Sequence, residues 1–136
     1  MSWDLPTPFV IDLQVGADDI DGLGHANNAV YVSWLERCAW RHSQHLGLDL
    51  AEYRRLDRAM AVLRHEIDYR NAALPGDQIT GTTWVGEHYG PRFDRFVTLR
   101  QSGGERIFAE AKTTWCLLDA RTMRPARIPD EVLVLL

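Results

Sequence analysis

Apolar side chains recur at every third or fourth position from Asn28 to Leu46, which predicts an amphipathic helix. The positions on its predicted inner face are Tyr31, Leu35, Cys38 or Ala39, His42 and Leu46. Gly47 follows directly, and glycine commonly ends a helix because it adopts the left-handed conformation without strain. Upstream, residues 9–15 end in alternation of apolar and polar side chains and predict a first strand.

Four further strands are predicted after a polar connection over residues 49–58. Rich in Thr, Val, Ile, Phe and Trp, they span residues 59–69, 78–85, 93–101 and 107–118. Turn residues separate them, and the last two strands are expected to form a hairpin. One long helix followed by successive strands predicts an α+β fold, with the helix against an antiparallel sheet. Residues 121–136 end in apolar side chains and are expected to pack onto the domain or onto a partner subunit.

The composition fits one domain, residues 1–136, with a sizeable core, because 46% of the 136 residues are hydrophobic and 25% are charged. A net charge of -4 gives no overall electrostatic reason to bind nucleic acid or an anionic membrane. No apolar run approaches the roughly 20 residues that cross a bilayer, and the start does not read as a signal peptide, so we expect a cytoplasmic protein. Cys38 and Cys116 lack metal-ligand spacing and are predicted to be buried thiols.

Residues 19–31 carry the candidate chemistry. They read Asp-Ile-Asp-Gly-Leu-Gly-His-Ala-Asn-Asn-Ala-Val-Tyr and precede or open the predicted helix. Free backbone N–H groups and the positive end of the helix dipole make a helix start suited to binding an anion or an oxyanion. An Asp or Asn at this place can equally cap the helix without catalysing anything. From these residues alone, both interpretations stay open.

This segment, with Trp34-Leu35-Glu36 after it, resembles the active-site segment of the hotdog-fold acyl-CoA thioesterases, in their 4-hydroxybenzoyl-CoA thioesterase-like branch. Residues 68–77 resemble the second-strand segment of that family, and residues 122–129 resemble its closing segment. The resemblance implies a hotdog fold, in which a curved antiparallel sheet of about five strands wraps one long helix. It also implies a homodimer or homotetramer with active sites at the subunit interface. The open edges of a five-stranded sheet are an independent reason to expect pairing.

The resemblance further implies a hydrolase that converts an acyl-CoA thioester to a free acid and CoA. No cofactor is implied, because CoA enters with the substrate, and neither nucleic acid nor membrane insertion is implied. Asp21 falls on the family's catalytic position, as nucleophile toward the thioester carbonyl or as base for water. The backbone N–H of Tyr31 is the implied oxyanion contact.

His25 and Asn28 are predicted to assist. Related acyl-carrier-protein thioesterases place a catalytic His at the position of His25, although they carry an Asn where this chain has Leu23. Another branch has a His where this chain has Asn28, so Asn28 would act by hydrogen bonding. Gly24 is predicted to contact substrate. Arg92 is predicted to bind the phosphates of CoA, because the planar guanidinium suits phosphate, although a solvated arginine is equally compatible with its position.

Two other functions fit the same fold. One is an acyl-thioester hydratase or dehydratase, and the other is a non-catalytic protein that binds acyl thioesters. Either CoA or an acyl-carrier protein is compatible as the donor. His42 and His45 lie three residues apart and could reach one metal ion, but no nearby Cys or acid completes a site, and the family resemblance implies no metal. Packing or surface roles are therefore predicted for both.

Overall fold

The computed structural model describes residues 8–136, which form five strands and three α-helices. The strands are β1 (Phe9–Gln14), β2 (Arg58–Tyr69), β3 (Gln78–Tyr89), β4 (Arg92–Gln101) and β5 (Ile107–Asp119). The helices are α1 (Asn28–His45), α2 (Leu50–Arg55) and α3 (Asp130–Leu133), with a short 3-10 turn at Ala17–Asp19. No described helix is both long and apolar enough to cross a membrane.

The strands form one antiparallel sheet in the order β1-β3-β4-β5-β2, and α1 packs against it. The α+β fold predicted from the sequence is therefore confirmed, as is the hairpin between the last two strands. The long helix begins at the predicted residue and ends at His45, one residue before the predicted end. Gly47 follows with a φ of 85°, the left-handed conformation expected of a residue that stops a helix.

The prediction for the third strand was wrong at its C-terminal end. It placed the end at Val85, whereas β3 continues to Tyr89. Residues 86–89 are exposed, and the first three of them are small or polar, so the segment lacks the apolar alternation from which strands are recognised. They are held by pairing with β4, after a shift of register between Val85 and His88. A local pattern could not reveal this extension because the partner strand supplies it.

The core consists of two clusters along α1. In the first, Tyr31, Trp34 and Cys38 pack on sheet residues that include Ile79 and Leu99. The second lies around the C-terminal half of α1 and includes Ala39, Tyr53, Phe93, Trp115, Leu117, Ile128 and Val132. Ile128 and Val132 are buried there, so this part of the tail packs onto the domain, one of its two predicted placements, whereas Val134 near its end is 80% exposed. Burying a side chain of this size stabilises the fold by roughly 1.5–3 kcal/mol.

Strand β2 forms one edge of the sheet and pairs only with β5 among the described residues. None of its side chains is fully buried, and Leu63 and Tyr69 are 49% and 46% exposed. An edge strand with exposed apolar side chains presents unpaired backbone groups to another chain. An edge of this kind can pair with a second copy of the chain, as the predicted homodimer requires.

Candidate active site

The loop ahead of α1 is a tight, internally hydrogen-bonded turn around Asp21. The Asp21 N–H donates to the His25 carbonyl at 3.0 Å, and the Gly24 N–H donates to the Asp21 carbonyl at 3.1 Å. Gly24 has a φ of 82°, which a residue with a side chain adopts only with strain. The Leu23 N–H donates to Asp21 Oδ1 at 2.9 Å. These contacts hold one oxygen of the Asp21 carboxylate in place within the loop.

The same loop is tied to the rest of the fold by backbone hydrogen bonds. The Ala26 N–H donates to the Ala73 carbonyl at 2.8 Å, and the Asn27 N–H donates to the Asp19 carbonyl at 2.8 Å. Ile20 and Ala26 also form an isolated antiparallel bridge. Loop and helix start are thus fixed relative to each other, as a site built from both would require.

His25 contacts the Asp21 carboxylate. Its Nδ1 atom lies 3.9 Å from Asp21 Oδ2 and 3.3 Å from the Ala26 carbonyl oxygen. Both neighbours accept hydrogen bonds, so the network assigns the proton of a neutral ring to Nδ1 and leaves the lone pair on Nε2. The side chains of His25 and Asp21 are 33% and 25% exposed. The pair is therefore ordered by the loop yet remains accessible.

The N-terminus of α1 begins directly after this loop. Asn27 caps it, since its side-chain oxygen accepts from the Ala29 N–H at 2.8 Å. The Asn27 carbonyl accepts from the Val30 N–H at 3.0 Å. The first turn contains no acidic residue, so no carboxylate in that turn offsets the positive end of the dipole of this 18-residue helix.

A cavity of about 180 Å³ lies beside the helix start. It is lined by His25, Ala26, Asn28, Tyr31, Tyr69, Arg70, Asn71 and Ala72. Three predicted site residues, His25, Asn28 and Tyr31, are therefore brought together. Asp21 does not line the cavity, but it contacts His25, which does. Gly24 lies in the loop and does not line the cavity either.

Residues 69–72 contribute to this cavity without having been predicted as site residues. The Tyr69 hydroxyl donates to the Asn28 carbonyl at 3.1 Å, which ties the end of β2 to the first residue of α1. The Asn71 side chain donates to the Ile107 carbonyl at 2.7 Å. Their sequence signal is that all four lie within residues 68–77, the second segment that resembles the thioesterase family.

The side chain of Tyr31 is part of the core. It is 2% exposed, and its ring lies edge-on to those of Trp34 and Tyr69, with ring centroids 5.0 Å away in each case. Its hydroxyl oxygen accepts from the Ala73 N–H at 3.2 Å. Burial raises the pKa of this hydroxyl, so it stays protonated at neutral pH. The side chain of Tyr31 thus serves the core, whereas the predicted oxyanion contact concerns its backbone N–H.

Arg92 lies at the other end of the sheet from Asp21. The loop that holds Asp21 follows β1, whose Gln14 pairs with Gln78 at the start of β3, whereas Arg92 pairs with Tyr89 at the end of β3. Those two ends are separated by about 35 Å of strand at roughly 3.3 Å per residue. Within one chain, Arg92 and Asp21 do not form a common site.

His42 and His45 have packing roles. Each ring lies 5.0 Å from the ring of Phe9, and His42 Nδ1 accepts from Arg95 Nη1 at 2.8 Å. Burial, with a smaller contribution from the Arg95 charge, lowers the pKa of His42 to about 4. In the described part of the chain, no group of three or more His, Cys, Asp or Glu is placed to hold a metal ion.

Both cysteines are buried free thiols, as predicted. Burial raises the pKa of the Cys38 thiol to about 12, which disfavours the reactive thiolate at neutral pH.

Residues 15–136 match the family model of the thioesterase-like superfamily. A 1,4-dihydroxy-2-naphthoyl-CoA thioesterase from Synechocystis is 18% identical, with a TM-score of 0.86 over 95% of each chain. A Staphylococcus aureus protein, solved in complex with CoA, is 21% identical, with a TM-score of 0.87 over 95% of this chain and 81% of that one. The probable thioesterase YbaW from Escherichia coli is 21% identical, with a TM-score of 0.81 over 93% of this chain and 94% of that one. These similarities confirm the hotdog fold.

Proposed function

The chain belongs to the thioesterase-like superfamily, and we propose that it hydrolyses an acyl-CoA thioester to a free acid and CoA, with Asp21 as the central catalytic residue. One observation carries the proposal. A partly exposed carboxylate is held by its own loop directly ahead of the capped N-terminus of a long helix.

Asp21 can act in two ways. As nucleophile, a carboxylate oxygen forms a bond to the thioester carbonyl carbon, the CoA thiolate leaves, and water then hydrolyses the resulting anhydride. As general base, the carboxylate takes a proton from the water that attacks the same carbon. Oδ1 accepts from the Leu23 N–H, whereas Oδ2 faces His25. We therefore assign the reacting position to Oδ2.

The start of α1 would stabilise the negative charge that develops on the carbonyl oxygen. We propose the Tyr31 N–H as the donor. In a regular helix the Tyr31 N–H donates to the Asn27 carbonyl. The Val30 N–H donates to that same carbonyl at 3.0 Å, so the two N–H groups share one acceptor. A preorganised donor of this kind typically contributes about 3 kcal/mol to transition-state stabilisation.

His25 and Asn28 complete the proposed centre. With its proton on Nδ1, His25 faces Asp21 through N–H, and its Nε2 can take a proton from water and pass that proton to the departing thiolate. Asn28 lines the same cavity and can donate or accept a hydrogen bond with the acyl thioester through its side-chain amide. Gly24 allows the close approach of substrate to the loop backbone, because it lacks a side chain.

We propose that the working unit is a homodimer, or a tetramer built from dimers. Two observations support it: β2 is an edge strand with exposed apolar side chains, and Arg92 is remote from Asp21 within one chain. Pairing of two copies would allow Arg92 of one copy to bind the CoA phosphates at the Asp21 centre of the other. The CoA complex of the Staphylococcus aureus neighbour makes CoA the first substrate carrier to test.

The test is release of free thiol from short, medium, long and aromatic acyl-CoAs. Asp21→Asn retains an oxygen for the Leu23 N–H, so the loop should survive while the charge is lost. We expect kcat to fall by about 10²–10⁴-fold. Asp19→Asn is the matched control, because Asp19 also holds a backbone N–H, that of Gly16 at 2.8 Å, from the same loop. Its kcat should stay within about threefold of wild type. Wild-type turnover in Asp21→Asn would refute the assignment.

The Asp21–His25 pair also gives the hydratase alternative a specific basis, since an acid beside an imidazole can move a proton. Interconversion of enoyl and hydroxyacyl thioesters without thiol release would select that function. Binding of acyl-CoA without turnover, unchanged in Asp21→Ala, would select a binding protein.

A further inference from the structure

A cavity of about 330 Å³ lies between the C-terminal half of α1, α2 and the start of β2. Two aromatic side chains, Trp40 and Tyr53, form part of its wall, and their rings stand at 89° to each other with centroids 6.4 Å apart. Leu50 and Met60 add aliphatic surface to the same wall. The volume is within the range of small-molecule sites, and a corner of two aromatic rings suits a flat ring.

Two arginines line the same cavity, Arg54 in the last turn of α2 and Arg58 at the start of β2. Neither takes part in any ion pair found within residues 8–136. Nearby acids have other partners, since Asp57 pairs with Arg121 at 3.3 Å and Asp119 Oδ1 accepts from two backbone N–H groups. The cavity therefore carries two positive charges that no carboxylate of the described residues contacts.

Arg58 is held in place by backbone carbonyls. Its Nε donates to the Arg127 carbonyl at 3.2 Å, and its Nη1 lies 3.4 Å from the carbonyl oxygens of Leu56 and Asp57. Within the described part of the chain no acceptor contacts Nη2, and the exposed guanidinium of Arg54 makes no hydrogen bond. Both arginines can therefore donate to a ligand. A phosphate monoester carries a charge of about −1.5 to −2 at pH 7, which matches two guanidinium groups better than a single carboxylate does.

We propose that this cavity binds the 3′-phosphoadenosine end of CoA, with the adenine against the aromatic wall and the ribose 3′-phosphate on Arg54 and Arg58. The choice of CoA rests on the proposed function. Trp40 lies twelve residues along α1 from Asn28 of the candidate active site, about 18 Å at 1.5 Å per residue. CoA has a matching layout, because its pantetheine arm separates the nucleotide from the thioester. The diphosphate of CoA remains for Arg92.

Titration of the purified full chain with adenosine 3′,5′-bisphosphate tests the assignment without a thioester, by calorimetry and tryptophan fluorescence. Wild type should bind it saturably and about tenfold or more tightly than adenosine or inorganic phosphate, because each of these lacks one of the two kinds of contact. Adenosine 3′-monophosphate should bind more tightly than adenosine 5′-monophosphate. The proposal is overturned if wild type does not bind the bisphosphate, if inorganic phosphate binds as tightly, or if the two monophosphates bind equally.

Arg54→Met is the first variant, because an exposed side chain without contacts can be replaced without unfolding the chain. It should weaken bisphosphate binding by about fivefold or more, and Arg58→Met by about tenfold or more. Arg124→Met is the matched control. Arg124 is exposed, and its carbonyl accepts from the Asp119 N–H at 2.8 Å, next to Ala120 of the cavity wall, but its side chain does not line the cavity. Binding by the control should stay within about twofold of wild type.

The two arginine variants decide the proposal. Bisphosphate binding as tight as that of wild type in Arg54→Met and Arg58→Met refutes it, and Arg54→Met alone decides if Arg58→Met does not fold. Weakening of the same size in Arg124→Met would also refute it, because the effect would then come from net charge rather than from this cavity.

Kinetics separate this inference from the proposed thioesterase activity. Arg54→Met should raise KM for acyl-CoA by about fivefold with little change in kcat, and should leave KM for the matching acyl-pantetheine, which lacks the nucleotide, as in wild type. Equal rises in KM for both substrates would overturn the proposal. Thiol release from acyl-CoA with unaltered bisphosphate binding in both arginine variants would refute this site and leave the proposed function standing. Arginine-dependent bisphosphate binding without turnover of any acyl-CoA would support this site and refute hydrolysis.

Discussion

A methyl group at position 81 should push α1 away from the sheet. Gly81 lies in the first half of β3, paired with Ile11 on one side and Leu99 on the other, directly beneath Cys38 of α1. A Cβ atom there would lie 2.8 Å from Cys38 Sγ and 3.5 Å from carbon atoms of Ile11 and Leu99. Cys38 is fully buried, so its sulfur has no open space into which it could turn. Gly81 thus allows helix and sheet to approach closely.

The expected cost of Gly81→Ala follows from that contact. The distance to Cys38 Sγ is about 0.6 Å shorter than an ordinary contact, and overpacking of a dense core costs about 1–3 kcal/mol. Replacing glycine by alanine within a strand stabilises the fold by about 0.5–1 kcal/mol, because the unfolded chain then has less conformational entropy to lose. From the midpoints of these two ranges we expect a net loss of about 1 kcal/mol in the free energy of unfolding, which for a chain of this length corresponds to a fall in Tm of roughly 3–5 °C.

A double-mutant cycle with Cys38→Ala makes the prediction specific. Cys38→Ala alone leaves a small void and should cost about 1 kcal/mol. Adding Gly81→Ala fills that void, so the double variant should be no less stable than Cys38→Ala alone. Urea unfolding of all four proteins gives the coupling free energy. Gly22→Ala is the control, since nothing lies within 4 Å of its Cβ position. The explanation fails if Gly81→Ala is as stable as wild type, or if Cys38→Ala does not suppress its defect.

Two further predictions concern α1. Asn27→Ala removes the acceptor for the Ala29 N–H and should lower the free energy of unfolding in urea by about 1 kcal/mol, whereas Asn27→Ser should retain most of it. His42 has a folded-state pKa of about 4, below its ordinary 6.5, mainly through burial and secondly through Arg95 and His45. The unfolded chain therefore takes up the proton first as pH falls, so the His42 contribution to stability is complete above pH 6.5 and is lost between about pH 6.5 and 4. His42→Gln should show a smaller loss of Tm than wild type over that interval, and equal losses would contradict this origin.

The bounds of α1 and of most strands could be predicted from the sequence, because apolar side chains recur along each of these elements with the period of a helix or of a strand. Asn27, Asn28 and Gly47 mark the ends of α1 by local chemistry, and the structure agrees within one residue. The last residues of β3, ending at Tyr89, could not be recognised in this way because only pairing with β4 makes them a strand.

The candidate site was predictable where it is contiguous in sequence. His25 and Asn28 lie a few residues apart, and the same turn presents both to one cavity. Tyr69 and Asn71 join them from more than forty residues away, which only the folded chain can show. Arg95 could also have been placed from the sequence. It lies two residues from Phe93 and two from Val97, and residues at this spacing share one face of a strand, here the buried face of β4.

The two sequestered thiols have a practical consequence for enzymology. Cys38 and Cys116 are 0% and 1% exposed, so the native chain should not consume an aromatic disulfide reagent that detects released CoA. Continuous colorimetric assays can therefore be run at high protein concentration with little background. Under denaturing conditions the same reagent should titrate two thiols per chain, so its slow reaction with native protein reports the rate at which the molecule opens.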